Sequence, residues 1–170
     1  MTPEKERYYE DATRKLLKTV DTMNLGKIPT MRAKNLVLLF RDSFKIPTIK
    51  YKTFEHELGK SLGFLTYDSD GFCRVASMNF GIMMGGAKHW QMMYIDDIWT
   101  YGPHHFLMHI PTKTVFDLTY DQYTNHDITV PYDIARPISY QMDTPEKDPA
   151  LRFAKEVGID LIQELKKQND

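Results

Sequence analysis

Apolar residues recur with a helical period at both ends of the chain and with a strand-like character in the middle. From Thr2 to about Val20, Tyr9, Ala12, Leu16, Leu17 and Val20 fall on one face of a predicted helix, because side chains three and four residues apart stack along one side of an α-helix. Thr2 before Pro3 and Glu4 supplies the cap and a favourable first turn. The stretch MRAKNLVLLFRDSF repeats the pattern at Leu36, Leu39, Phe40 and Phe44, capped by Thr30 after the Gly26–Pro29 break and ended by Lys45-Ile46-Pro47. A third, short helix is expected over Thr53–Leu62, followed by a turn at Asp68-Ser69-Asp70-Gly71. CRVASMNFGIMM reads as a helix with Val75, Ala76, Phe80 and Met83 on or near one face and Gly85-Gly86 as its stop.

His89–Ile95, His104–Ile110 and Thr114–Thr119 have the short, aromatic and β-branched character of strands. The tight Pro111-Thr112-Lys113 connection makes an antiparallel hairpin of the last two. Thr129–Asp148, interrupted by Pro131, Pro137 and Pro145, reads as a long ordered loop or short edge strand placed to lie over a site. Thr144-Pro145-Glu146 then opens a final helix with Leu151, Ala154, Val157, Leu161 and Leu165 on its buried face. The expectation is one α+β domain over 1–170: a helical segment to about 60, a mixed core over 61–142 and a C-terminal helix over 143–170.

Composition narrows the function classes. With 170 residues, 42% apolar and 26% charged, the chain can bury a substantial core. Lys and Arg number 22 against 23 Asp and Glu, so no global field attracts nucleic acid or an anionic membrane. The opening MTPEKERYYEDATRKLL lacks an apolar signal region, and no run reaches the eighteen or so apolar residues of a membrane span. A single cysteine forms no internal disulfide, in keeping with a reducing compartment. The expectation is a cytoplasmic protein with neither nucleic-acid nor membrane partners; the sequence names no oligomeric state.

That cysteine, Cys73, is followed in order by His105 and Asp117. A thiol attacks carbonyls well near neutral pH only when an imidazole takes its proton and a third group fixes which ring nitrogen faces sulfur. Cys73 falls at the predicted start of a helix, where backbone N–H groups and the helix dipole favour the thiolate. His105 and Asp117 stand about equally far from Thr112, so the hairpin is expected to make them near-opposite partners. Strand alternation sets His105, Leu107 and His109 on one face and His104, Phe106 and Met108 on the other.

The segments GFCRVAS (71–77), HHFLMH (104–109) and DLTYDQYT (117–124) resemble the transglutaminase-like branch of the papain-type cysteine enzymes, and within it small bacterial YunG-type proteins. Their pattern runs Gly-x-Cys on a helix, His-aromatic on a strand, then Asp-Leu-Thr-x-x-Gln-aromatic. Gly71, Cys73, His105, Phe106, Asp117, Leu118, Thr119, Gln122 and Tyr123 fill those places, over roughly residues 60–125, while Met108 stands where the family often has Asn. The resemblance implies a papain/transglutaminase-like core, with the cysteine's helix packed on an antiparallel sheet. It also implies a Cys73-His105-Asp117 triad transferring an acyl group from a protein, peptide or small amide or ester, with no cofactor or metal.

No Gln lies between Tyr51 and Cys73 to serve as the upstream oxyanion donor, so Tyr67 and Ser69 are the candidates. Trp90, His104 and His109 are further candidate substrate contacts. Other readings stand beside the enzyme. Free cysteine is by default a small buried hydrophobe, which would leave a catalytically inactive, transglutaminase-like binding or scaffold module. His104, His105, His109 and His89 could form a metal cluster, but no acidic or sulfur ligand accompanies them at a familiar spacing. Six of the methionines fall between Cys73 and Asp117, where they suit an adaptable pocket or an irregular core.

Overall fold

The computed structural model describes residues 2–55, 68–144 and 146–169. Among these are seven α-helices and one four-stranded antiparallel sheet, an α+β arrangement. Helix α1 (Pro3–Asp21) is capped by the Thr2 hydroxyl, which accepts from the Lys5 amide, and it buries Tyr9, Ala12, Leu16 and Val20. Helix α2 (Lys27–Phe44) begins earlier than its sequence suggests. Gly26, at φ +91°, takes the cap position instead of Thr30, and Pro29 sits in the first turn, where its missing N–H has no intrahelical role. Helix α3 (Pro47–Phe54) starts at the proline expected to end α2, because proline suits a first turn as well as a stop. The rest of the helix expected over 53–62 lies outside the described residues.

Helix α4 (Cys73–Met83) runs as expected and closes at Met84, with Gly85 and Gly86 at positive φ and the Gly86 amide donating back to the Gly81 carbonyl. Strands β1 (Trp90–Ile95), β2 (His104–His109), β3 (Thr114–Phe116) and β4 (Arg136–Ile138) order as β3-β2-β1-β4. The β2-β3 hairpin is the expected one, with Leu107 opposite Phe116 and His109 opposite Thr114. β3 stops three residues short of Thr119. The Asp117 carboxylate accepts the Thr119 amide and turns the chain into the short helix α5 (Asp121–Thr124). The proline-broken segment supplies a 3-10 turn at Tyr132–Ile134 and the edge strand β4.

The C-terminal helix is two helices, α6 (Pro149–Glu156) and α7 (Leu161–Asn169). Asp148, rather than Thr144, caps α6 through the Ala150 amide, and Gly158 at φ +79° breaks the run.

One sheet face, carrying Trp90, Met92, Leu107 and Phe116, packs with α4 into the main core, which also takes in Leu16, Val20, Phe40, Phe44, Phe153 and Leu161. The other face, with Ile95 and Phe106, closes over a smaller core with Ile98, Tyr123 and Val130. Phe72, fully buried, is held among Phe44, Phe54 and Phe153, its ring stacked at 4.4 Å on Phe44. Burying such a ring contributes about 2–3 kcal/mol, and it fixes the residue that immediately precedes Cys73. No helix among the described residues is long and apolar enough to cross a membrane.

Candidate active site

Cys73 is the first residue of α4, and no side chain caps that helix. Phe72 occupies the cap position and has no oxygen to offer, so the first-turn N–H groups and the positive end of the dipole are left to the sulfur and whatever it binds. The cysteine is half-buried rather than sealed in the core.

Two imidazoles flank it. His105 Nδ1 lies 3.9 Å from Sγ, and His104 acts on the sulfur electrostatically while its own ring nitrogens face Asp117 and Gln122. Burial by itself would push the Cys73 thiol up. The imidazoles of His104 and His105 outweigh it and bring the thiol down to about 5. His104 is fully buried, which disfavours its charge, yet the Asp117 carboxylate and the Cys73 thiolate raise it to about 10. Sulfur and imidazole therefore ionise as a pair across neutral pH.

The carboxylate joins His104, not His105. His104 Nε2 and Asp117 Oδ2 are 2.7 Å apart, both groups buried. The expected His105–Asp117 pairing fails by one residue of register. With Leu107 opposite Phe116, the next step brings Asp117 beside Phe106, on the face that carries His104. His105 lies on the α4 face instead, opposite Tyr94 and 4.9 Å from its ring.

Two residues complete the buried cluster. Gln122 Nε2 is 3.0 Å from His104 Nδ1, and the Tyr132 hydroxyl donates to Asp117 Oδ2 at 2.9 Å. The Gln122 amide can present its NH2 to a neutral ring or its oxygen to an imidazolium, so it serves both protonation states. In the sequence Gln122 stands out only as a position of the resembled pattern, and nothing signals Tyr132, which reaches the site only through the folding of the proline-broken segment. Arg41 was also unforeseen. Fully buried, it grips the Asp121 carboxylate with both terminal nitrogens, at 2.7 and 2.9 Å, and donates to the Leu118 carbonyl one residue past Asp117. The N-terminal helices thereby pin the segment that supplies the carboxylate.

The remaining candidates are scattered. Ser69 is buried in the turn before Cys73, and its hydroxyl has no hydrogen-bond partner among the described residues. Tyr67 lies outside the described residues. Trp90 is 1% exposed, packs edge-on against Phe80 and donates to the Met84 carbonyl, which makes it core rather than cleft wall. His109 shares the His105 face but stands at the far end of β2, hydrogen-bonded to Thr112 and packed on Trp90. Four residue steps along the strand separate the two histidines by about 13 Å. The described residues gather no three His, Cys, Asp or Glu side chains in a metal-binding arrangement, so the histidine cluster is not assembled.

His105 opens onto a cleft of 490 Å³, walled by Met78, Met92, Tyr94 and Ile138 and bordered by Arg74 and Arg136. The proline-broken segment forms its outer edge through Pro137, Ser139 and Gln141. Comparison with protein-family profiles, curated proteins and solved structures finds no match to this chain.

Proposed function

We propose that this chain is a cysteine-dependent acyl-transfer enzyme, an amide or peptide hydrolase, deamidase or transglutaminase-like protein acting through a thioester intermediate. The observation that carries the reading is the half-buried Cys73 at an uncapped helix start, flanked by two histidines of which one is tied to a buried carboxylate. A structural cysteine needs none of this. The cysteine helix packed on an antiparallel sheet that carries the histidines on one strand and the acid just past the end of its neighbour also fits the papain/transglutaminase-like core implied by the sequence resemblance.

In this reading the Cys73 thiolate attacks an amide or ester carbonyl, a carbon–sulfur bond forms, and the carbonyl π electrons move onto oxygen. The first-turn N–H groups of α4 stabilise that oxyanion. His104, held by Asp117, Gln122 and Tyr132, carries the positive charge that balances the thiolate. His105, next to sulfur and open to the cleft, takes a proton from solvent and delivers it to the departing amine or alcohol as the tetrahedral adduct collapses. Water or an amine then gives a proton to the imidazole and attacks the thioester, releasing the thiolate. The triad of the resemblance thus gains a member: His105 faces the substrate while His104 takes the orienting carboxylate.

The direct test is incubation with p-nitrophenyl acetate. The reading expects a burst of about one equivalent of p-nitrophenol and an added acetyl mass on the Cys73 peptide, both absent in Cys73→Ala. Absence of a burst and of the acetyl adduct in native protein would instead favour a binding or scaffold module.

A further inference from the structure

We propose that the cleft beside Cys73 is a recognition site for an acyl donor that carries a carboxylate on an apolar stem, a substrate class that rests on the reading of Cys73 as nucleophile. The cleft is contiguous with the chemistry, since His105 lines it and stands 3.9 Å from Sγ, and Arg74 is the residue after Cys73. Its charged lining is of one sign. Among the described residues Arg74 and Arg136 border it, and no Asp or Glu does.

Each guanidinium group is paired with a carboxylate that does not line the cleft. Arg74 is clamped through Nη1 and Nη2 by the two oxygens of the buried Asp148, at 2.9 and 3.0 Å, and also donates to the Gln141 carbonyl. Burial favours a protonated Asp148, but Arg74 and the Asp143 and Ala150 amides hold its carboxyl below the usual range. That carboxylate is therefore shared among an arginine and two backbone donors, and it fixes the guanidinium without filling its Nε edge. Arg136 lies over the Tyr94 ring at 4.9 Å and meets Asp96 through one nitrogen, at 3.2 Å, in an exposed pair. An exposed pair of this kind contributes little and yields readily to a better acceptor, so Arg136 can offer its fork to a ligand carboxylate. With the arginines, Met78, Met92, Tyr94 and Ile138 line the cleft and give it apolar surface suited to methylene groups.

The test uses two alkylating reagents of the same shape, N-bromoacetyl-glutamic acid α-amide and N-bromoacetyl-glutamine α-amide. Each forms a carbon–sulfur bond with the Cys73 thiolate as bromide leaves, and they differ only in a side-chain carboxylate against a carboxamide. In native protein the ratio of acid to amide labelling rates should exceed that of the urea-unfolded chain by roughly tenfold, the value of a charge-assisted contact. It should fall toward the unfolded ratio in Arg136→Gln, fall less in Arg136→Lys, and decline with added salt. Arg136 lies on an exposed edge strand, which keeps the variant foldable where Arg74→Gln would strand Asp148. Fast labelling at pH 6 by both reagents with no preference for the acid would overturn the carboxylate site and leave the nucleophile intact. Slow labelling by both until the chain unfolds would overturn the nucleophile and the site with it.

Discussion

Replacing His104 by Ala removes the imidazole that Asp117 charges, and the reactivity of Cys73 toward iodoacetamide against pH measures the loss. With the thiol at about 5, roughly 90% is thiolate at pH 6, against about 0.1% for a thiol at its ordinary value of 9.0. That is a gain on the order of a thousandfold in reactive species. A thiolate four units less basic is also a weaker nucleophile, by roughly 40- to 100-fold at a Brønsted slope of about 0.4–0.5. The net expectation is about a tenfold faster reaction than an ordinary thiol at pH 6, reversing to a slower one above about pH 7 to 7.5. The midpoint of the profile, more than any single rate, is therefore the diagnostic. It should lie near 5 in native protein and move up by two units or more in His104→Ala. In His105→Ala it should move less, because no carboxylate among the described residues pairs with that imidazole. A native midpoint above 8, or a midpoint unmoved by His104→Ala, would refute the reasoning.

The same pair shapes stability against pH. Between 6.5 and 9.0, the ordinary values of imidazole and thiol, the unfolded chain holds its proton on sulfur and the folded chain holds it on His104, so stability from this pair is flat. Below 6.5 the unfolded imidazole gains a second proton while the folded thiolate resists until about 5, and about 2 kcal/mol is lost over that window. Above 9.0 the unfolded thiol ionises while folded His104 keeps its proton to about 10, so stability falls again. Urea unfolding of native protein, minus that of Cys73→Ala/His104→Gln, should trace this plateau with two falling edges; a monotonic difference curve would contradict it. Arg41→Met should cost about 3–5 kcal/mol by leaving the buried Asp121 carboxylate unpaired, and Arg41→Met/Asp121→Leu should recover most of it. A single variant within about 1 kcal/mol of native would show that the pair is not what anchors the α5 segment.

Much of the scaffold was legible locally. The helical spacing of Leu16, Val20, Leu36 and Phe40, the glycines after Met84 and the tight turn at Thr112 each act within a few residues, so α1, the body of α2, α4 and the β2-β3 hairpin are encoded by period and turn chemistry alone. Boundaries were less so. Proline suits both the end of one helix and the start of the next, and a single glycine at 158 breaks a continuous apolar pattern that otherwise reads as one helix.

The chain by itself determined that Cys73 would begin a helix and that the histidines would lie on one strand of a hairpin with Asp117 near the end of the other, since those placements follow from local propensity and spacing. Which histidine meets the carboxylate was decided only by tertiary structure. A one-residue difference in strand register moves a side chain to the opposite face, and that register is set by long-range packing of Leu107 and Phe116 beneath α4. Tyr132 on Asp117, Arg41 on Asp121 and the arginines at the cleft belong to the same class. Each joins residues distant in sequence, where no periodicity reaches and only the packed core fixes the distance.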